Sequence, residues 1–193
     1  MDLTKGTEPE KIKRSKKMML WFAIVSMAMM FAGLTSAYVV SKNRPDWPED
    51  VVLPDAFLWS TLFIVLSSVT FILAKKALLK SNRSLASKML IATLILGLVF
   101  VILQFVGFQQ FINQGLFPAG STSVINVSFY YLIIFTHLVH VFAGIIVLLV
   151  VIYNHFKQRY YPGQMLGIEL GATFWHFVDI LWIYLFLFLY FLR

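Results

Sequence analysis

Apolar residues in this chain gather into five long runs, at about 18–41, 55–75, 88–112, 127–153 and 168–192, and within each run they occupy every helical face rather than one stripe. A hydrocarbon slab of roughly 30 Å takes about 20 such residues per helix, so the pattern predicts five spanning helices. Ten-residue segments of strict alternation bounded by turn residues, the mark of a transmembrane barrel, do not occur. The expected fold class is therefore all-α, a polytopic membrane helix bundle. A single five-helix domain over 18–193 follows a basic tail at 1–17. Composition strengthens this reading, since 60% of the 193 residues are hydrophobic and 13% charged, far from the soluble norm.

Charge supplies the orientation. Lys5, Lys11, Lys13, Arg14, Lys16 and Lys17 precede the first run; Lys75, Lys76, Lys80, Arg83 and Lys88 lie around the second connection; Lys157 and Arg159 lie in the fourth. The first connection instead carries Asp46, Glu49, Asp50 and Asp55 against Lys42 and Arg44, and the third is uncharged, leaving Arg193 at the far end. Basic residues at helix ends stay cytoplasmic, which puts the N-terminus inside and the C-terminus outside. A cleaved secretory signal does not fit, because the first apolar run is too long and no small-residue cleavage site follows it. The basic tail reads as an orienting anchor near anionic lipid rather than as a nucleic-acid site.

Candidate chemistry is confined to the helices. The connection "NRPDWPEDVVLPDAF" reads as an ordered or partner-contacting outer loop, and "INQGLFPAGSTSVIN" as a polar turn. Gly163 and Gly167 in "YPGQMLG" lack the preceding strand that a dinucleotide site needs. With no cysteine in the chain, disulfides and thiolate metal sites are excluded. Ionisable groups inside a membrane are costly and so informative. They are His137 and His140 in the fourth run and Glu169, His176 and Asp179 in the fifth. Glu169, Ala172, His176 and Asp179 follow steps of 3, 4 and 3 on one helix face, and His137, His140 and Gly144 form a second polar stripe. Counting the rise per residue from the cytoplasmic ends puts His140 and Asp179 both roughly 16–20 Å deep, so a contact between them is geometrically open. The plainest reading is an interhelical hydrogen-bond network. A proton path, a lipid-headgroup site, or a haem or copper site are sharper alternatives. His137 and His140 leave the same face with no thiolate or methionine partner placed, and the methionines crowding the first run are expected to be packing filler. No metal, cofactor or catalytic residue is therefore assigned. Gly33 with Ala37, and Ser67 and Ser68 with Ala74, are small positions where a neighbouring helix can seat.

These residues also carry a resemblance. "FWHFVDILWIYLF" (174–186) resembles the last-helix signature of subunit III of the haem-copper terminal oxidases. "THLVHVFAG" (136–144), with His137, His140, Val141 and Gly144 in step, resembles that family's Thr-Gly-Phe-His-Gly-x-His-Val-x-x-Gly element. "GLVFVILQ" (97–104) resembles its Leu-Gly-x-x-Phe-x-x-x-Gln helix. The resemblance runs through all five helices and matches the short five-helix bacterial form. In two places the chain departs from the family: Met27 in "SMAMMFAG" (26–33) stands where a glutamate is usual, and Gly107-Phe108 stand where Glu-Tyr often follows the glutamine.

What the resemblance implies is an accessory, cofactor-free subunit of an oxygen-reducing, proton-pumping oxidase in the bacterial cytoplasmic membrane. Haem and copper reside in partner subunits, the chain packs on the catalytic subunit I and other oxidase subunits, phospholipid is bound, and proton uptake is supported. His137, His140, Glu169, His176 and Asp179 are then an interhelical and lipid- or proton-associated network. Cytochrome c is the expected electron donor. The alternatives are a quinol oxidase subunit or a nitric-oxide-reductase-associated homologue. From other classes come a stand-alone proton-coupled transporter, against which no inverted repeat or broken helix appears, and a haem-binding electron carrier.

Overall fold

The computed structural model describes residues 7–44, 47, 51–120, 125–161 and 164–192. Asp46, Glu49 and Asp50 of the first connection, and likewise Lys5, Gly163 and Arg193, lie outside the described residues. The described chain is a bundle of five helices: α1 (Glu8–Ser41), α2 (Asp55–Leu79), α3 (Arg83–Asn113), α4 (Ile125–Phe156) and α5 (Leu166–Phe191). All five are long and apolar enough to cross a membrane.

Each helix outruns the apolar segment that predicts it at one end or both, because the bilayer sets the length of the apolar stretch and not where the helix stops. The difference is largest in α1, which begins at Glu8 inside the segment expected as a tail. Pro9 sits in its first turn, where a missing N–H is harmless, and the Glu10 carboxylate accepts the Thr7 backbone N–H at 2.9 Å. Both features start a helix, and Glu8 and Glu10 oppose the positive end of its dipole. A turn at Lys80–Asn82 joins α2 to α3; Ser81 takes a left-handed φ of 57° and Asn82 caps α3 by accepting the Leu85 N–H at 3.1 Å. So short a connection makes the two helices antiparallel neighbours.

Lipid tails are as apolar as leucine, so helices in a membrane associate through close packing and interhelical hydrogen bonds. In this bundle α5 is the organiser, touching α1, α2 and α4. Trp175 and Trp182, two turns apart on its buried face, each reach three helices. The Trp175 ring lies against Gly97 of α3 and Gly144 of α4, and its indole N–H donates to Ser67 Oγ of α2 at 3.0 Å. Trp182 donates to Thr61 Oγ1 of α2 at 3.0 Å and meets Phe100 of α3 edge-on, with His137 of α4 tilted over its face. Glycines admit close approaches elsewhere in the bundle too: a methyl at Gly107 would overlap the Phe57 ring, and one at Gly171 would stand 2.8 Å from Val151. By contrast the α1 backbone packs against α4 and α5. It is held by Tyr38, whose hydroxyl meets the Tyr130 hydroxyl and the Leu192 carbonyl, and by Thr35 against Tyr184.

Candidate functional site

The intramembrane ionisable groups fall into three separate settings. Glu169, in the first turn of α5, forms an ion pair with Lys17 of α1 at 3.0 Å, both partly exposed. The pair borders a cavity of about 170 Å³ that Trp21, Lys75 and Thr173 also line.

Two turns further along α5, His176 Nδ1 lies 2.6 Å from Ser68 Oγ of α2, with the imidazole tilted against Phe71. Asp179 is 2% exposed. It stands between Trp175 and Trp182 on the packed face, with the Ser68 hydroxyl beside it. Neither of its carboxyl oxygens completes a hydrogen bond among the described residues. Ser68 thus adjoins both His176 and Asp179, with its short contact to the histidine.

His137 and His140 belong to a third, aromatic setting. His137 is 1% exposed, with both ring nitrogens unpartnered among the described residues and Phe31, Phe100 and Trp182 around it. His140 turns its Nδ1 back to the Thr136 carbonyl at 2.7 Å, where the imidazole must donate, and presents its ring to Phe31. Consequently the His140 and Asp179 contact that equal depth left open is not made. The residues that do partner the stripe are ones the ionisable pattern passes over. Ser68 reads in the sequence only as a small helix seat, and Ser67, Thr70 and Thr93 extend the polar track between α2 and α3, with the two threonine hydroxyls 2.8 Å apart. Their signal is a cluster of hydroxyls, Ser67, Ser68 and Thr70, in a span whose other hydroxyls, Ser60 and Thr61, stand about two turns earlier. Another polar contact joins Gln104 of α3 to Ser60 of α2, where the amide donates at 2.9 Å.

Among the described residues no group of three or more His, Cys, Asp or Glu side chains is arranged to hold a metal ion. Met27, at the position where the oxidase family carries a carboxylate, packs partly buried against the apolar core. The arrangement ties neighbouring helices together through Ser68–His176, Trp175–Ser67, Trp182–Thr61 and the Lys17–Glu169 pair.

Comparison with known proteins agrees with this architecture. The chain is 26% identical over 198 residues to cytochrome c oxidase subunit 3 of Papio hamadryas, covering 96% of this chain and 72% of that one. It is 27% identical over 185 residues to cytochrome bo(3) ubiquinol oxidase subunit 3 of Buchnera aphidicola, covering 94% and 89%. With the corresponding Pseudomonas putida subunit it shares 28% over 175 residues, covering 89% and 83%. The family model for cytochrome c oxidase subunit III matches residues 3–193. Five unbroken spanning helices, a last helix carrying the Trp-His-Phe-Val-Asp core, and a match along nearly the whole chain lead to one assignment: this protein belongs to the cytochrome c oxidase subunit III family.

Proposed function

We propose that this chain is the accessory, non-catalytic subunit of an aerobic haem-copper oxidase of the cytochrome c type, residing in a bacterial cytoplasmic membrane with its N-terminus inside. The observation that carries the reading is the subunit III family match over residues 3–193, joined to a bundle whose last helix is tied to its neighbours by His176, Trp175 and Trp182. In this role the chain packs on the catalytic subunit I, stabilises it through turnover and supports proton uptake, while haem and copper stay in the partner subunits. His137, His140, Glu169, His176 and Asp179 act as interhelical and proton-associated groups. Glu169, His176 and Ser68 lead from the partly exposed Lys17 end of the bundle toward buried Asp179. An apolar groove of about 430 Å³ between α1, α4 and α5, opening beside the Lys17 and Glu169 pair at Leu20 and Leu170, suits a phospholipid chain.

A second reading, a quinol oxidase subunit, is favoured by the ubiquinol oxidase relatives. One preparation separates the two. The complex is purified in mild detergent through a tag on this chain, its subunits are inventoried by mass spectrometry, and its oxidation of reduced cytochrome c and of ubiquinol is compared. Co-purifying haem-copper subunits, a haem-free tagged chain after separation, and activity with cytochrome c are the expected results. Activity with ubiquinol alone moves the assignment to the second reading, and a lone colourless chain ends the oxidase reading. Replacing His176 and Asp179 by leucine tests the network: unchanged subunit retention and unchanged proton uptake during turnover would show it to be idle.

A further inference from the structure

Between Asp55 and Glu169 the chain contains no aspartate or glutamate. The turn that joins α2 to α3 is nevertheless flanked by Lys75, Lys76, Lys80, Arg83 and Lys88, a basic cluster with no acidic residue near it in the sequence. Arg83 donates to the Tyr160 carbonyl at 3.1 Å, and Lys75 lines the cavity beside the Lys17 and Glu169 pair. The ammonium groups of Lys76 and Lys80 have neither an ion pair nor a hydrogen bond among the described residues. The two lysines stand one helical turn apart, Lys76 in the last turn of α2 and Lys80 at its C-cap, and line a groove of about 390 Å³ together with Leu73, Leu79, Leu85 and Met89. The lining is apolar below and cationic only toward the helix end, and Leu73, Leu79 and Leu85 are exposed.

We propose that this groove is a binding site for an anionic phospholipid, with the headgroup phosphate between the Lys76 and Lys80 ammonium groups and one acyl chain along Leu73 and Met89. Two neighbouring cations without an acidic partner attract an anion, and a basic pocket between spanning helices at the membrane surface is a setting in which lipid headgroups are held. Inorganic phosphate satisfies the charge and leaves the leucines exposed. An acidic segment of a partner protein satisfies the charge and has no use for a groove that continues into the apolar span. A phospholipid meets both ends at once. This inference rests on the chain spanning a membrane and is independent of which oxidase it serves.

The test uses the intact complex purified through the full-length chain, partly delipidated and titrated with phosphatidylglycerol or phosphatidylcholine in detergent, with lipid adducts on this chain read by native mass spectrometry. Phosphatidylglycerol is expected to be retained in preference to phosphatidylcholine. Surface attraction to anionic lipid weakens about fivefold per lysine removed, so Lys76→Gln with Lys80→Gln is expected to weaken that retention by roughly 30-fold. Lys76→Arg with Lys80→Arg, which keeps both charges, binds as the unaltered chain does. Equal retention of the two lipids by the unaltered complex overturns the proposal, and that measurement needs no variant to assemble. Undiminished phosphatidylglycerol binding in the glutamine variant also overturns it. Displacement of the lipid by millimolar inorganic phosphate would make this a free-phosphate site. A carbodiimide crosslink in native membranes from Lys76 or Lys80 to a carboxyl of another subunit would make it a protein interface. Either result overturns the proposal.

Discussion

Replacing Gly97 by alanine tests whether Trp175 is the keystone of the bundle. The added methyl would stand 2.9 Å from Cη2 and 3.0 Å from Cζ2 of the indole, where carbon atoms prefer about 3.5–4.0 Å. The ring has little room to retreat: its N–H is bonded to Ser67 Oγ at 3.0 Å, and its other edge already faces Gly144, where a methyl would be 3.3 Å away. Overpacking of this kind costs about 1–3 kcal/mol. Alanine in a helix interior recovers about 0.8–1.0 kcal/mol relative to glycine, so the net effect is a loss of roughly 0–2 kcal/mol. Gly33 is the control, because a methyl there meets no heavy atom within 4 Å. Gly33→Ala carries only the favourable propensity term, and the two variants should differ by about 1–3 kcal/mol. The assay is thermal unfolding of the full-length chain in one detergent, followed by tryptophan fluorescence. Trp175→Phe removes the fused-ring atoms that the methyl would strike, so combining it with Gly97→Ala should cost less than the sum of the two changes by about 0.5–3 kcal/mol. A Gly97→Ala chain at least as stable as Gly33→Ala, or strict additivity with Trp175→Phe, would refute the keystone role.

Three further outcomes follow from the same contacts. Glu169→Gln breaks the ion pair with Lys17, but both side chains are partly exposed. The loss should stay near 0.2–1 kcal/mol and shrink at high salt, and an equal loss in unfolding titrations at low and high salt would contradict a screened pair. Ser68→Ala leaves His176 Nδ1 without its partner; interhelical hydrogen bonds in membranes are worth about 0.6 kcal/mol and at most about 1.7, so a variant that melts at or above the unaltered chain would show the bond to be idle. In the connection after α4, burial pushes the Tyr160 phenol above its usual range. A raised folded pKa contributes stability that is whole below the unfolded value of about 10 and is lost as pH rises through the folded one. Stability measured from about pH 9 to about pH 11 should therefore decline, and Tyr160→Phe should flatten that decline; an unchanged slope would assign it to other groups.

The five spans are legible in the sequence because lipid forces each crossing to be a long apolar run, whereas helix ends depend on local capping. That is why α1 starts at Glu8, well before its apolar run, on the strength of Pro9 and the Glu10 bond to Thr7. The packing of α5 is half legible. Trp175 and Trp182 are visibly two turns apart, but that one of them rests between Gly97 and Gly144 is a tertiary fact that no local pattern encodes. Hydroxyl partners such as Ser68 are hard to see for a related reason, since a serine in an apolar span reads equally as a small packing residue and as a hydrogen-bonding one.

The polar stripe of α5 shows most clearly what spacing can and cannot decide. At about 100° per residue, His176 lies only about 20° around the helix from Glu169, but Asp179 lies about 80° around. On a helix with neighbours on several sides, the level along the axis and a turn of that size each change the neighbour. Glu169 faces Lys17 of α1, His176 faces Ser68 of α2, and Asp179 has moved onto the tryptophan face of the core. A depth estimate fixes level along the axis and leaves rotation free, so it placed His140 and Asp179 at one height without seeing that they face different helices. Asp179 is also where local chemistry and global packing conflict most: a carboxyl group between two buried indoles, with no cation paired to it and no completed hydrogen bond among the described residues. Natural sequences keep such conflicts mainly where function requires them. That makes Asp179, rather than the better satisfied His176 or Glu169, the position in this bundle whose replacement most directly separates a packing role from a proton-associated one. Asp179→Asn preserves the shape but cannot exchange a proton, whereas Asp179→Leu removes both. A complex in which asparagine assembles normally but takes up protons more slowly, while leucine fails to assemble, would require both roles at this one side chain.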